Sequence, residues 1–294
     1  MTEATENACF VRFRRVLEHI DAHLDEDLTL DRLSGVAAFS KYHFHRQFSE
    51  LFGIGVHEYV KLLRLRRASQ RLALRDQARV TDIALASGYE SLEAFCRAFK
   101  KAFGQTPSEF REQPRWDPWH AMHERLSEAR TLPLRAHDRA GDVKIARFEE
   151  TRVAALEHRG DPKRVLESVR RFIGWRKENR LPPRSSATFN VLYDDPAETP
   201  PEAFRLDLCA ATGRPVPDNP LGVVAKTIPG GRCAVLRHIG GDDTLFHAVR
   251  HLYAAWLPAS GEEPRDYPLF LQRVRFFPEV PDHEGITDIF LPLQ

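Results

Sequence analysis

Cysteine is scarce in this chain of 294 residues: Cys9, Cys96, Cys209 and Cys233 stand far apart and never form a CxxC pair. That excludes a zinc ribbon and a disulfide scaffold, and fits a reducing compartment. Long apolar runs are missing as well. No stretch reaches the roughly 18 residues of a membrane span, and the N-terminus lacks the basic-then-apolar layout of a signal peptide. Net charge is nearly absent, with 43 Lys+Arg against 42 Asp+Glu. No global field therefore announces a polyanionic partner, and charge has to be read segment by segment. What is present suffices for a core: 42% of residues are hydrophobic, and the 29% that are charged favour solubility. The length suits two domains of about 100–200 residues each. The expectation is a soluble, cytoplasmic, two-domain protein with no membrane partner.

Two internal repeats organise the chain. In the first, Phe44, Phe48, Phe52 and Gly53 return 51 residues later as Phe95, Phe99, Phe103 and Gly104, and Ser40 returns as Ser91. Phenylalanine at i, i+4 and i+8 marks the buried stripe of a helix, with serine as its N-cap and glycine as its stop. Each copy follows a shorter apolar-periodic segment, 28–37 or 80–86. Short helix, tight turn and longer helix make a helix-turn-helix, here present twice. Residues 56–74 carry apolar Val56, Tyr59, Val60 and Leu63 on one side and read as the helix joining the two units.

The second repeat has an offset of 80 residues. Ala154, Leu156, His158 and Gly160 match Ala234, Leu236, His238 and Gly240; Val165, Leu166, Val169 and Phe172 match Leu245, Phe246, Val249 and Leu252. Alternation ending in glycine predicts a strand, and the segment beyond has helical period. Strand-like stretches follow at 187–193, 204–210, 269–277 and 287–291. The fold class is thus an all-α double helix-turn-helix domain, then an α+β domain of duplicated strand–helix–strand–strand units with an antiparallel sheet. Boundaries are set at 8–113, a linker at 114–139 punctuated by Pro114, Pro118 and Pro133 with a helix-like piece near His120–Ala129, and 140–294.

Charge concentrates in the first domain. From Lys41 to Arg79 there are nine basic residues (Lys41, Arg46, Lys61, Arg64, Arg66, Arg67, Arg71, Arg75, Arg79) against three acids (Glu50, Glu58, Asp76), an excess of six. Double-stranded DNA calls for such a patch, since phosphate contacts supply its sequence-independent affinity. The phenylalanine stripes point Lys41, Tyr42, His45, Arg46 and Ser49 outward in the first long helix, and Leu92, Glu93, Cys96, Arg97 and Lys100 in the second. Arg46 suits the O6/N7 pair of a guanine, Glu93 a cytosine amino group, and Tyr42 a thymine methyl. Lys100 and the Arg64–Arg71 cluster suit phosphates. His43 and His45, at i and i+2, point to different faces, so no metal is expected there.

The runs SKYHFHRQFSELFG, VHEYVKLLRLRRASQRL and VTDIALASGYESLEAFCRAFKKAFGQTPSEFR make residues 10–112 resemble the AraC/XylS-type DNA-binding domain. The resemblance implies seven helices, two recognition helices in successive major-groove segments, and transcriptional control. It places base contacts on Tyr42, His45 and Arg46 and on Leu92, Glu93, Cys96 and Arg97; Leu92 and Cys96 are less polar than the family's usual occupants.

In the second domain, aromatic residues near predicted strand ends are the candidates for a small-molecule pocket: Phe148, Trp175, Phe189, Tyr193, Tyr253, Trp256, Phe270 and Phe290. Asp195 and Asp288 are the acids best placed to attract a cation. IPGGRCAVLRHIG, HLYAAWLPASG, YPLF and TDIFLPL make residues 141–294 resemble the GyrI-like (Rob/BmrR-type, SHS2) effector-binding domain, which implies a small amphiphilic effector, often a cation. The family usually follows the phenylalanine of this motif with glutamate, whereas Leu271 follows Phe270 here, which favours a neutral or zwitterionic effector. Catalysis is not expected. His247 and His251 have i, i+4 spacing without the glutamate of HExxH, and His158 and His238 occupy equivalent repeat positions. No cofactor or metal is expected. The chain reads as a transcription regulator that binds DNA and senses an effector, with RNA polymerase a further partner. The alternatives are a GyrI-like hydrolase tethered to DNA and an effector-independent activator whose second domain is a protein-binding platform.

Overall fold

The computed structural model describes residues 3–74, 78–134, 142–196, 198–277 and 279–294. The chain divides into two compact units, Met1–Asp138 and Arg139–Gln294.

The first unit is helical: α1 (Glu3–Ala22), α2 (Leu30–Ala37), α3 (Lys41–Phe52), α4 (Val56–Leu74), α5 (Val80–Ala86), α6 (Leu92–Phe103), α7 (Pro107–Glu112) and α8 (Trp116–Leu134). The repeat is visible in the caps. Ser40 accepts a bond from the His43 amide at the start of α3, and Ser91 accepts one from Ala94 at the start of α6. Gly53 and Gly104 end the two helices in the left-handed conformation. Thr106 and Glu109 form a capping box around Pro107 in α7. Both phenylalanine stripes are fully buried, and Phe13 of α1 packs its ring against Phe44, Phe48 and Phe52. Central α4 packs against α3, α5, α7 and α8.

The helix-like piece expected near His120–Ala129 within the linker is a longer helix, 116–134, and it packs into this unit rather than tethering it. Trp119, Met122, Leu126 and Ala129 are buried, and the Trp119 indole donates to Ser69 Oγ of α4 at 2.8 Å. Spacing of i, i+3, i+7 and i+10 gives this helix an apolar stripe. Pro118 falls in its first turn, where a missing N–H costs nothing.

The second unit is an eight-stranded antiparallel sheet with strands β1 (Lys144–Phe148), β2 (Thr151–Arg159), β3 (Thr188–Leu192), β4 (Arg205–Ala211), β5 (Val224–Ile228), β6 (Gly231–Ile239), β7 (Phe270–Arg275) and β8 (Ile286–Pro292). Its order is β1-β6-β8-β7-β3-β4-β2-β5. Helix α9 (Val165–Glu178) belongs to the first copy of the repeat. Helix α10 (Asp242–His251), a π-helical turn and α11 (Leu257–Ser260) belong to the second. Each copy also carries a leading strand, β1 or β5, which pairs with the other copy: β1 with β6 and β5 with β2. These edge strands expose most of their residues and lack the alternation that reveals a half-buried strand. One sheet face packs on the helices, through Leu156, Phe172, Trp175 and Leu208 in the first copy and Leu236, Leu252, Leu271 and Ile289 in the second. The other face gathers a cluster of its own.

Candidate nucleic-acid interface and aromatic cup

Burial of the stripes fixes what α3 and α6 show to solvent. Lys41, Tyr42, His45 and Arg46 are exposed on α3, with Ser49 half-buried; Leu92, Glu93, Arg97 and Lys100 are exposed on α6, with Cys96 half-buried. The residues expected as readers thus lie on the outward face of the first two to three turns of each helix. Tyr42 stands out, 69% exposed although aromatic. Lys41 pairs with Asp31 of α2. Arg46 and Arg97 have no hydrogen-bond or ion-pair partner among the described residues, so their guanidinium groups are free to meet acceptors from outside.

The Arg64–Arg71 cluster does not make the uniform phosphate surface expected of it. Arg66 is buried. Arg64 turns inward, where its Nε donates to the Leu24 carbonyl at 2.9 Å and its Nη2 to the Glu26 carbonyl at 2.7 Å. Burial pulls its pKa below the ordinary arginine value. The cause is the crowding of α4, packed on several sides, which turns the long Arg64 stem onto backbone carbonyls. Arg75 lies outside the described residues.

In the second unit, edge to centre is bridged by one ring. Phe148 of β1 lies 5.9 Å from Phe189 of β3, ring centroid to ring centroid, although three strands stand between them in the sheet. A flat sheet would separate those strands by about 19 Å at the usual ~4.8 Å spacing, so the sheet curls and this face is a cup. Phe148 also meets Phe270 and Phe290, at 4.8 and 5.2 Å, and Phe270 and Phe290 stack at 4.9 Å, 2° from parallel. Half-buried Tyr193 and Tyr267 complete the cluster.

Of the pocket candidates, the structure brings together Phe148, Phe189, Tyr193, Phe270 and Phe290. Trp175 is not with them: it stacks on Phe172 beneath α9, on the opposite sheet face. Trp256 packs into the corresponding cluster beneath α10, and Tyr253 is about half exposed. Strand alternation separates the two faces, and helix-borne aromatics fill the helix face. Asp288 does face the cup, but Arg237 holds both its oxygens at 2.7 Å. Asp195 lies past the end of β3. Leu271 is buried on the helix face, so its identity does not set the charge of the cup.

Asp207 does set it, and the sequence reading missed it. This buried acid in β4 accepts from the Tyr193 hydroxyl at 2.9 Å and from Lys226 Nζ at 2.6 Å, and Lys226 reaches Glu157 at 2.6 Å as well. Asp207 and Asp288 hold matching positions, each opposite a β2-type residue, Glu157 or Arg237. The signal was there: in Arg205-Leu-Asp-Leu-Cys the acid takes a cup-facing position inside an apolar strand. Burial and the bond to Asp207 push the Tyr193 phenol up to about 12. Burial pulls the Lys226 ammonium down, but its bonds to Asp207 and Glu157 outweigh that and leave it above an ordinary lysine. The bond from Lys226 draws the Glu157 carboxyl below its usual value.

These shifts predict a pH window. A lowered carboxyl stabilises the fold above its unfolded value of about 4.3, and that contribution is lost as pH falls through the folded value. A raised ammonium stabilises below its unfolded value of about 10.4, and the contribution is lost as pH rises through the folded value. The melting temperature of the wild-type chain is therefore expected to exceed that of Lys226→Gln most between about pH 5 and 10, the gap narrowing at both ends. Melts of both proteins from pH 3 to 11 check this; a constant gap refutes the network.

The paired histidines tie strand to helix. His158 meets Ser168 Oγ and the Asp161 carbonyl, and His238 meets Thr244 Oγ1 and the Gly241 carbonyl. Among the described residues no helix is long and apolar enough to cross a membrane, and no three His, Cys, Asp or Glu side chains gather as metal ligands.

Residues 141–294 match the family model described as the GyrI-like small molecule binding domain, and residues 33–113 match a helix-turn-helix domain model. A protein of Escherichia coli K12 named probable transcriptional regulator YgiV is 44% identical over 153 residues, which cover 52% of this chain and 96% of that protein. The right origin-binding protein of the same organism is 39% identical over 104 residues, 35% of each chain. Among solved structures, the DNA-binding domain of AdpA in complex with a target DNA matches 34% of this chain and 90% of its own, at 26% identity and a TM-score of 0.33.

Proposed function

The chain belongs to the GyrI-like family and joins that domain to an AraC-type helix-turn-helix domain, and from this premise we propose that it is a one-chain, effector-responsive transcription regulator that reads DNA with α3 and α6. The observation that carries the proposal is the repeated helix with its readers outward. Each of α3 and α6 buries a full phenylalanine stripe and leaves its first turns, with Arg46 or Arg97, exposed and without a partner among the described residues. N-terminal residues of a recognition helix are those that reach base edges. The GyrI-like domain senses a small amphiphilic molecule and biases DNA affinity or polymerase contact. It does so by as much as the molecule's affinity differs between the two states.

Selection from a random duplex pool tests the DNA half. The expected outcome is a bipartite site, two motifs about one helical turn (~10 bp) apart. A single motif, or no enrichment, overturns the double reader. Arg46→Ala is expected to weaken binding to the selected site by about 1–3 kcal/mol and to relax one base preference. Titration of wild type and variant against single-base variants of the site checks this, and an unchanged base profile refutes α3 as a reader.

A hydrolytic reading draws on the Tyr193–Asp207 pair, a phenol and an acid bonded within the cup. The same geometry weighs against it. A phenol held protonated up to about 12 is neither nucleophile nor base at neutral pH, and Asp207 already accepts from Lys226. The expected result is no turnover of 4-nitrophenyl acetate above the rate of a Tyr193→Phe variant.

A further inference from the structure

We propose that the aromatic cup takes an uncharged, planar aromatic molecule, and that Lys226 closes it to lipophilic cations as a counter-ion built into the fold. The inference rests on the reading of the second unit as a sensor and names the class of molecule it senses.

An aromatic site holds a lipophilic cation through ring faces and through a carboxylate that lacks a counter-ion. The register of the strands turns three acids towards the cup: Glu157, Asp207 and Asp288. Each is already matched. Asp288 is held by Arg237 through two bonds. Glu157 lies against Arg159 and Lys226, and Asp207 against Lys226. The ring of Tyr193 also has cations close by, with Lys226 Nζ 5.8 Å and Arg205 Cζ 5.5 Å from its centroid. A cation entering the cup would leave water without gaining an unpaired acid, and would stand beside Lys226 and Arg237.

The arrangement suits an uncharged guest instead. The near-parallel rings of Phe270 and Phe290 stack on each other, buried, beneath Phe148 set edge-on to both; they form an aromatic floor, and a flat aromatic body packs offset or edge-to-face on the ring surface left above it. Half-buried Phe148, Tyr193 and Tyr267 give it a partly accessible rim. Gln272, opposite Phe189 on one side and Asp288 on the other, adds an uncharged hydrogen-bonding group to the same face.

Two probes decide the matter with the full chain. N-phenyl-1-naphthylamine is uncharged and brightens on leaving water; tetraphenylphosphonium is a lipophilic cation, read by its displacement of the first and by equilibrium dialysis. Wild type is expected to bind the neutral probe at least tenfold more tightly than the cation, and Phe148→Ala to lose at least fivefold of the neutral probe's affinity. Lys226→Gln, which uncovers Asp207 and Glu157, is expected to move the ratio of the two affinities at least tenfold towards the cation, whereas Lys226→Arg keeps the wild-type ratio. Equal or tighter binding of tetraphenylphosphonium by wild type overturns the inference and leaves the sensor reading standing. An unmoved ratio in folded Lys226→Gln overturns Lys226 as the selector. If Lys226→Gln does not fold, the wild-type ratio and Lys226→Arg decide. Failure of wild type to bind either probe removes both the inference and the sensor reading.

Discussion

Gly88→Ala is expected to destabilise the helical unit by about 3–5 kcal/mol and, with it, to abolish binding to the selected DNA site. Gly88 sits in the turn between α5 and α6 at φ +75°. The conformation alone costs an L-residue roughly 1–2 kcal/mol, and the equivalent turn before α3 tolerates it, since Ala38 adopts φ 53° there. The surroundings make the difference. A Cβ on Gly88 would lie 2.4 Å from the Leu24 carbonyl oxygen and 2.7 Å from the Arg64 guanidinium. Neither can retreat cheaply, because that carbonyl accepts the Arg64 Nε–H and the same side chain also holds the Glu26 carbonyl. Overpacking of this kind costs about 1–3 kcal/mol, and each charged hydrogen bond that is lost adds about 1.5–3. Urea unfolding of the full chain followed at 222 nm checks the stability loss. A wild-type midpoint for the variant would mean that the second turn does not lie against Arg64.

The same contacts show where a sequence stops informing. Periodicity and caps are local, so both helix-turn-helix copies were legible from Ser40, Ser91 and the phenylalanine stripes, and the duplication of the sheet domain from the repeated His-x-Gly strand ends. The direction of a long cation is not local. Arg64 and Arg46 both count as one positive charge, yet Arg46 points to solvent and Arg64 ends on carbonyls 38 and 40 residues away in sequence. Edge strands β1 and β5 escaped notice because an exposed strand needs no apolar alternation. The cup was half legible. Strand parity puts Phe189 and Tyr193 on one face, but only the register of β3, β7 and β8 adds Phe270 and Phe290 to it, only the curl of the sheet brings Phe148 to them, and only the pairing of β5 with β2 carries Lys226 to Asp207. A candidate chosen for being aromatic, such as Trp175, has no comparable constraint when it sits on a helix.

Helix α8 gives the other large effect. Trp119→Ala is expected to cost about 3–5 kcal/mol, the range for emptying a buried aromatic site. The indole is 4% exposed, stacks on His123 at 4.8 Å and donates to buried Ser69 of α4. Its loss would leave a cavity against the central helix and a serine hydroxyl short of a donor. Trp119→Phe separates the two contributions: it restores most of the volume and gives up the hydrogen bond, so about 1 kcal/mol of loss is expected on that account. Urea titration of the three proteins, followed at 222 nm, orders them wild type, Trp119→Phe, Trp119→Ala. Prolines at 114, 118 and 133 suggest a tether, and a tether makes the opposite prediction, since alanine in a solvated linker changes stability by no more than about 0.5 kcal/mol. The apolar stripe of Trp119, Met122, Leu126 and Ala129 decides between them: a tether has no reason to bury four residues on one helical face, whereas a helix that closes the core beneath α3, α4 and α6 cannot do without them.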